Sequence, residues 1–193
     1  DKYGLKPPTD VPAAEEPVDL TVTAEAVTTA EKAEEFLALF RKAEHVTLLA
    51  LPDLSGVIVD CDTGEHTAVS AEFYFNRYEG DWNALLRALF SGDIKKVSHN
   101  VKDLQRTLLE NGLPIEGFIF DAALAGYLLD ATSGKYDIAS LFAAYFHQTL
   151  AEPKHLDSEA FSMLGDTIEA ETAFHIYTSA VSALYETFSP EIE

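Results

Sequence analysis

Cysteine is almost missing from this chain: Cys61 stands alone in 193 residues. A single thiol excludes an internal disulfide and fits a reducing compartment, so a cytoplasmic protein is expected. Cys61 itself reads as a small buried strand residue. Basic residues are scarce too, with 13 Lys and Arg against 33 Asp and Glu and a formal net charge of −20. Such a field repels phosphate backbones, and no basic face of the kind that nucleic-acid binders present is legible. An acidic surface of this sort ordinarily serves solubility. No apolar run approaches the roughly 20 residues that span a bilayer, and no basic stretch leads into an apolar one as in a secretion signal. No membrane partner is expected. The chain has no phosphate-cradling P-loop, no Gly-x-Gly-x-x-Gly and no Gly-x-Ser-x-Gly. Its six histidines (His45, His66, His99, His147, His155, His175) include no His-x-x-x-His pair and join no Cys cluster, which removes the common zinc patterns.

What is present is enough for one folded domain. Hydrophobic residues make up 47% of the chain, typical of a globular protein with a core. Residues 1–19 hold Pro7, Pro8, Pro12 and Pro17, with Glu15 and Glu16 between them. They read as an extended linker from a preceding domain. The start at Asp1 and the stop at Glu193 suggest a piece of a longer protein, with residues 20–193 as its folded domain.

Hydrophobic spacing orders the rest. Thr28-x-x-Glu31 reads as a capping box, opening a helix to about Glu44 with Ala33, Phe36, Leu37 and Phe40 on one face. His45–Leu51 and Gly56–Cys61 read as strands, Asp62–Glu65 as a turn, and His66–Ala71 as a third strand: an antiparallel meander. Helical spacing follows over Asp81–Phe90, then a short strand at Lys95–Ser98, a helix at Val101–Glu110 ended by Asn111-Gly112, a strand at Gly117–Phe120 and a helix at Asp121–Leu129. Alternating strands and helices with short connections imply parallel strands. Asp137–Phe146 and Ser158–Phe188 read as helices, with Pro153 in the loop between. The pattern alone predicts an α/β domain with a mixed sheet.

Residues 98–130, SHNVKDLQRTLLENGLPIEGFIFDAALAGYLLD, narrow this further. Asn100 opens a helix, Gly112 closes it, and Gly117 precedes a strand ending in Phe120-Asp121. Tyr127 and Leu129 lie on the next helix. Without a gap, this run resembles the middle motif of the 3′–5′ proofreading exonuclease domain of bacterial DNA polymerase I. The end of the chain, ALYETFSPEIE, resembles the stretch that leads into the polymerase domain. The resemblance covers about residues 20–193. It implies a ribonuclease H-like fold, with a three-strand antiparallel meander plus two parallel strands flanked by helices.

The same resemblance implies a two-metal mechanism, in which four carboxylates hold two divalent ions. Carried over by position, the acidic slots on the first strand fall at Ala50 and Pro52, and the middle slot at Leu104. On the last helix the Tyr and Asp slots fall near Leu164 and Ile168. Every slot carries an apolar residue. The neighbouring Asp103 lies about 100° round the helix from Leu104, so it is expected to face away. Asp53 lies past the strand. Asp166, Glu169 and Glu171 suit a helix N-terminus. Asp121 reads as a helix cap and His99 as a helix-entry residue.

The expectation is therefore a non-catalytic, vestigial exonuclease-like domain. It would be a structural spacer in a polymerase that synthesises DNA in repair and replication, with no cofactor of its own although the parent polymerase would use Mg2+. Its partners would be the polymerase domain of the same chain and, through that, DNA, with the domain itself a monomer. Two alternatives stand beside it. One is an active metal-dependent exonuclease with ligands displaced to Asp53, Asp103 and Glu169 or Glu171. The other is a protein-interaction module using the acidic surface and the aromatic cluster Phe73, Tyr74, Phe75 and Tyr78, near Arg77.

Overall fold

The computed structural model describes residue Leu20 and residues 24–62, 68–150 and 167–192. The expected linker, the turn at 62–65 beyond Asp62, Pro153 and the start of the last helix at Ser158 lie outside those residues. Six strands form one sheet: β1 (Ala24–Ala26), β2 (Val46–Ala50), β3 (Gly56–Asp62), β4 (Ala68–Tyr74), β5 (Lys96–Ser98) and β6 (Phe118–Asp121). Their order is β1-β4-β3-β2-β5-β6. Strands β2, β3 and β4 pair antiparallel, whereas β5 runs parallel to β2 and β6 parallel to β5. This is the mixed sheet expected of a ribonuclease H-like fold. The short β1, parallel to β4, is an addition; Ala24, Glu25 and Ala26 continue an apolar-polar alternation that begins at Leu20 and suits a strand.

Alternation along the strands explains why both sheet faces are covered. Val46 and Leu48 of β2, Val57 and Val59 of β3, and Ala71 and Phe73 of β4 join one core. Helices α1 (Ala30–Lys42), α2 (Trp82–Leu89) and α3 (Val101–Glu110) complete that core. Leu49, Ile58 and Tyr74 point the other way, under α4 (Ala122–Leu129), α5 (Ile138–Phe146) and α6 (Thr167–Ile192). A polar group interrupts this second face. Asp60 accepts from the Ser70 hydroxyl at 2.6 Å and from the Ser179 hydroxyl of α6 at 3.2 Å. Burial holds its carboxyl above the usual range, against the pull of Ser70, His175 and Ser179.

Helix α1 starts one residue later than the capping-box pattern implies. Thr29 is the cap, its Oγ1 accepting from Lys32 N at 3.3 Å. The Thr28 carbonyl is taken instead by Glu79 N at 2.8 Å, so tertiary pairing displaces the local cap. The third strand likewise runs to Tyr74 rather than Ala71. Phe73 and Tyr74 are thereby core residues, not members of a surface aromatic cluster.

Lys96 on β5 is a buried cation. Its Nζ donates to the carbonyls of Ser91 at 2.9 Å and Ile94 at 2.7 Å, and lies 5.3 Å from the Phe118 ring centre. Burial pushes its amine down to about 8 from an ordinary value of 10.5, against the opposing pull of Glu116. The folded state thus releases this proton more readily than the unfolded chain, and between those two values the unfolded chain binds more protons. Stability contributed here should rise as pH increases from about 8 to about 10.5. Comparing melting temperatures of wild type and Lys96→Met across that window isolates the effect: the difference should shift steadily towards wild type, and a constant difference would contradict the assignment.

Candidate functional site

Parallel strands β2 and β5 end side by side, and a crevice opens beyond their carboxyl ends, as in other open α/β sheets. Its lining comes from Leu49 to Pro52 at the end of β2, Ser98 to Asn100 at the end of β5, and Asp103, Leu104 and Thr107 on α3. The cleft measures about 280 Å³. Asn100, Asp103, Leu104 and Thr107 follow the i, i+3, i+4, i+7 spacing that places them on one helix face. Beneath the cleft, the buried Ser98 hydroxyl donates to Leu48 O at 2.6 Å and ties β5 to β2. His99 Nε2 meets the carbonyl of Tyr136 at 2.6 Å; a carbonyl only accepts, so Nε2 carries the proton in this bond.

The structure brings three of the four acid slots together. Ala50 and Leu104 pack against the first core, and exposed Pro52 closes the near edge of the cleft. Leu164 lies outside the described residues. Ile168 lies in the first turn of α6, and its side chain is not among those described.

Asp103 departs from the expectation. It lines the rim of the cleft rather than facing away, because the rotation from Leu104 carries it only as far as the edge. Its carboxylate is already engaged: Asn100 Nδ2 donates to it at 2.8 Å, and so does the Arg106 guanidinium. The Asn100 amide, with help from the Arg106 and Lys102 charges, holds this carboxyl below its usual range against the opposing effect of desolvation. Asp53 is committed elsewhere, with one carboxylate oxygen accepting from Ser55 N at 3.0 Å and Ser55 Oγ at 2.6 Å in a tight turn. The side chains of Asp166, Glu169 and Glu171 are not described. Among the described residues no three His, Cys, Asp or Glu side chains gather to hold a metal ion. A hard divalent cation needs oxygen ligands; the methyl of Ala50, the ring of Pro52 and the isobutyl group of Leu104 offer none. The donor set of this cleft does not fit a pair of magnesium ions.

The matched residues of the 98–130 run have conformational tasks instead. Asn100 takes a left-handed backbone at φ 55°, turning the chain from β5 into α3. Gly112 and Gly117 hold φ values of +66° and +80°. Asp121 caps α4 as expected, accepting from Ala123 N at 2.9 Å, but it also accepts from Asn100 N and Val101 N, both at 2.8 Å. One carboxylate therefore seats the first turns of two helices. Nothing local signals this second role, since 20 positions separate Val101 from Asp121.

No family model and no curated protein sequence matches the chain. Solved structures do. The POL domain of Pol1 from M. smegmatis, in complex with DNA primer-template and dNTP, superposes with a TM-score of 0.64 at 17% identity over 86% of this chain. Escherichia coli RNase D, an exoribonuclease involved in structured RNA processing, gives 0.55 at 18% over 86%. The catalytic core of RRP6 from Trypanosoma brucei gives 0.57 at 16% over 89%. The chain spans 27% of the polymerase chain and 46% and 49% of the two nuclease chains. It carries the ribonuclease H-like fold of the 3′–5′ exonuclease domains, and at these identities the likeness is one of fold.

Proposed function

We propose that this chain is a 3′–5′ exonuclease-like domain that has kept its scaffold and lost its chemistry, and that it serves as a structural domain of a family A DNA polymerase. One observation carries the reading: Ala50, Pro52 and Leu104, the positions at which the resemblance expects metal-binding acids, converge on a single cleft with hydrocarbon side chains. The likeness to a polymerase chain bound to a DNA primer-template supports the wider context. The net charge of −20 supports a domain that reaches DNA through its parent and not by its own surface. Catalysis by paired divalent ions requires carboxylates to hold the ions and activate water, and this cleft supplies none of the three it should.

Incubating the purified chain with an end-labelled single-stranded oligonucleotide and Mg2+ or Mn2+ should leave the oligonucleotide at full length. Titrating Mn2+ should leave the melting temperature flat, because only a native-state site would raise it. Shortening that a chelator abolishes, or a saturable rise in melting temperature, would overturn this reading in favour of an exonuclease with displaced ligands.

A further inference from the structure

At the far end of β4 the chain makes an aromatic corner that the cleft does not use. Phe75, in the turn that follows β4, is 62% exposed. Its neighbours hold it in an ordered cluster. The Phe75 and Trp82 rings meet edge to face at 6.1 Å and 70°, and Tyr78 meets Trp82 at 5.9 Å and 61°.

Four hydrogen bonds pin this arrangement. Phe75 N donates to Ser55 O at 2.9 Å, Tyr78 N to Tyr74 O at 2.9 Å and Glu79 N to Thr28 O at 2.8 Å. Trp82 Nε1 donates to Leu54 O at 3.2 Å. A preorganised aromatic surface loses little side-chain entropy when something binds to it.

The charges around the corner specify the partner's chemistry. Glu34 on α1 and Asp81, the cap of α2, are exposed and lie close enough to Tyr78 to raise its hydroxyl, after the larger effect of burial. The nearby cation, Arg77, is turned over the Tyr74 ring at 4.8 Å. Indole and phenol rings attract cations, Trp most strongly, and the carboxylates add to that attraction. A nucleic acid would bring phosphates against the same acids, and a second copy of this chain would bring another net charge of −20.

We propose that this corner docks a basic segment of a partner protein, whose Arg or Lys side chains lie on the Phe75, Trp82 and Tyr78 rings with Glu34 and Asp81 beside them. The inference is independent of whether the cleft is catalytic.

Trp82 is the only tryptophan of the chain, so intrinsic emission reports on the corner itself. The probes are a decapeptide of alternating arginine and glycine, the same peptide with glutamate for arginine, and oligothymidylate of the same length. The arginine peptide should change Trp82 emission saturably, and added salt should weaken it. Phe75→Ala should weaken binding about tenfold and Glu34→Gln about threefold, in line with a cation–π contact and one neighbouring charge. Both substitutions are at exposed positions that leave the core intact. No saturable response, an equal response to the glutamate peptide, unchanged affinity in Phe75→Ala, or tighter binding of oligothymidylate would each overturn the proposal.

Discussion

Gly117→Ala is expected to destabilise the domain by about 2–5 kcal/mol, the sum of left-handed backbone strain and forced overpacking. Gly117 sits at φ +80°, and an added Cβ would lie 2.3 Å from the Ile94 carbonyl oxygen, 2.7 Å from Lys96 Nζ and 3.0 Å from the Ser91 carbonyl oxygen. None of the three can give way cheaply. The two carbonyls are those that satisfy the buried Lys96 ammonium, and Lys96 N donates to Gly117 O at 2.7 Å, part of the seam between β5 and β6. Shifting Gly117 thus costs either a buried cation its partners or the sheet its edge strand. Gly112→Ala is the built-in comparison. Its φ is +66°, but nothing lies within 4 Å of the new methyl, so strain alone remains, about 1–2 kcal/mol. Urea midpoints with unchanged slopes measure both. Equal losses in the two variants would show that packing around Gly117 is looser than the distances imply.

The second large effect is expected at Asp121. Replacing it with Ala removes the acceptor of three backbone N–H groups, those of Asn100, Val101 and Ala123. Loss of a single cap costs about 1 kcal/mol, and the unmet, part-buried donors of Val101 and Ala123 add to that. The expected cost is about 2–4 kcal/mol, or a fall of several degrees in melting temperature for a domain of this size. Asp121→Asn should fall between. Its remaining oxygen can still serve Asn100 N and Ala123 N, which share Oδ1, but its NH2 group would face the Val101 N–H. Hydrogen exchange should quicken in the first turns of α3 and α4 together. Faster exchange confined to α4 would show that the carboxylate is only a local cap.

These two positions also show that the matched motif serves the backbone as well as any chemistry. Asn100, Gly112, Gly117 and Asp121 match the exonuclease pattern because each one sets a backbone direction: a left-handed turn into α3, a turn out of it, a close approach under Lys96, and a cap on two helices. On the proposed reading, replacing the expected acids with Ala50, Pro52 and Leu104 would leave all of these tasks in place. A chain can therefore retain the run and its fold with a cleft of hydrocarbon.

Element order was legible because periodicity is a local property. The short apolar runs of β2 and β3 and the helical spacing of α2, α3 and α5 survive in any single window of sequence. Strand β1 was only partly legible: Leu20 to Ala26 alternate apolar and polar residues, but the pairing with β4 depends on residues more than 40 positions away. The cap of α1 shifted by one residue for a similar reason, since Glu79 claims the Thr28 carbonyl. The aromatic cluster read from residues 73–78 was half right. Strand β4 continues through Tyr74 and buries Phe73 and Tyr74, while Phe75 and Tyr78 stay outside and recruit Trp82, which lay beyond the window.

Sequence by itself determined the composition of the cleft, the charge of the surface and the sign of each strand face, because these depend only on which side chains stand at which spacing. Tertiary structure decided the rest. It brought Ala50 and Pro52 against Leu104, left Asp103 on the rim tied to Asn100 and Arg106, and gave Asp121 its second helix. Such contacts join residues far apart along the chain, and their geometry follows from how strands and helices pack around a shared core, which no local pattern encodes.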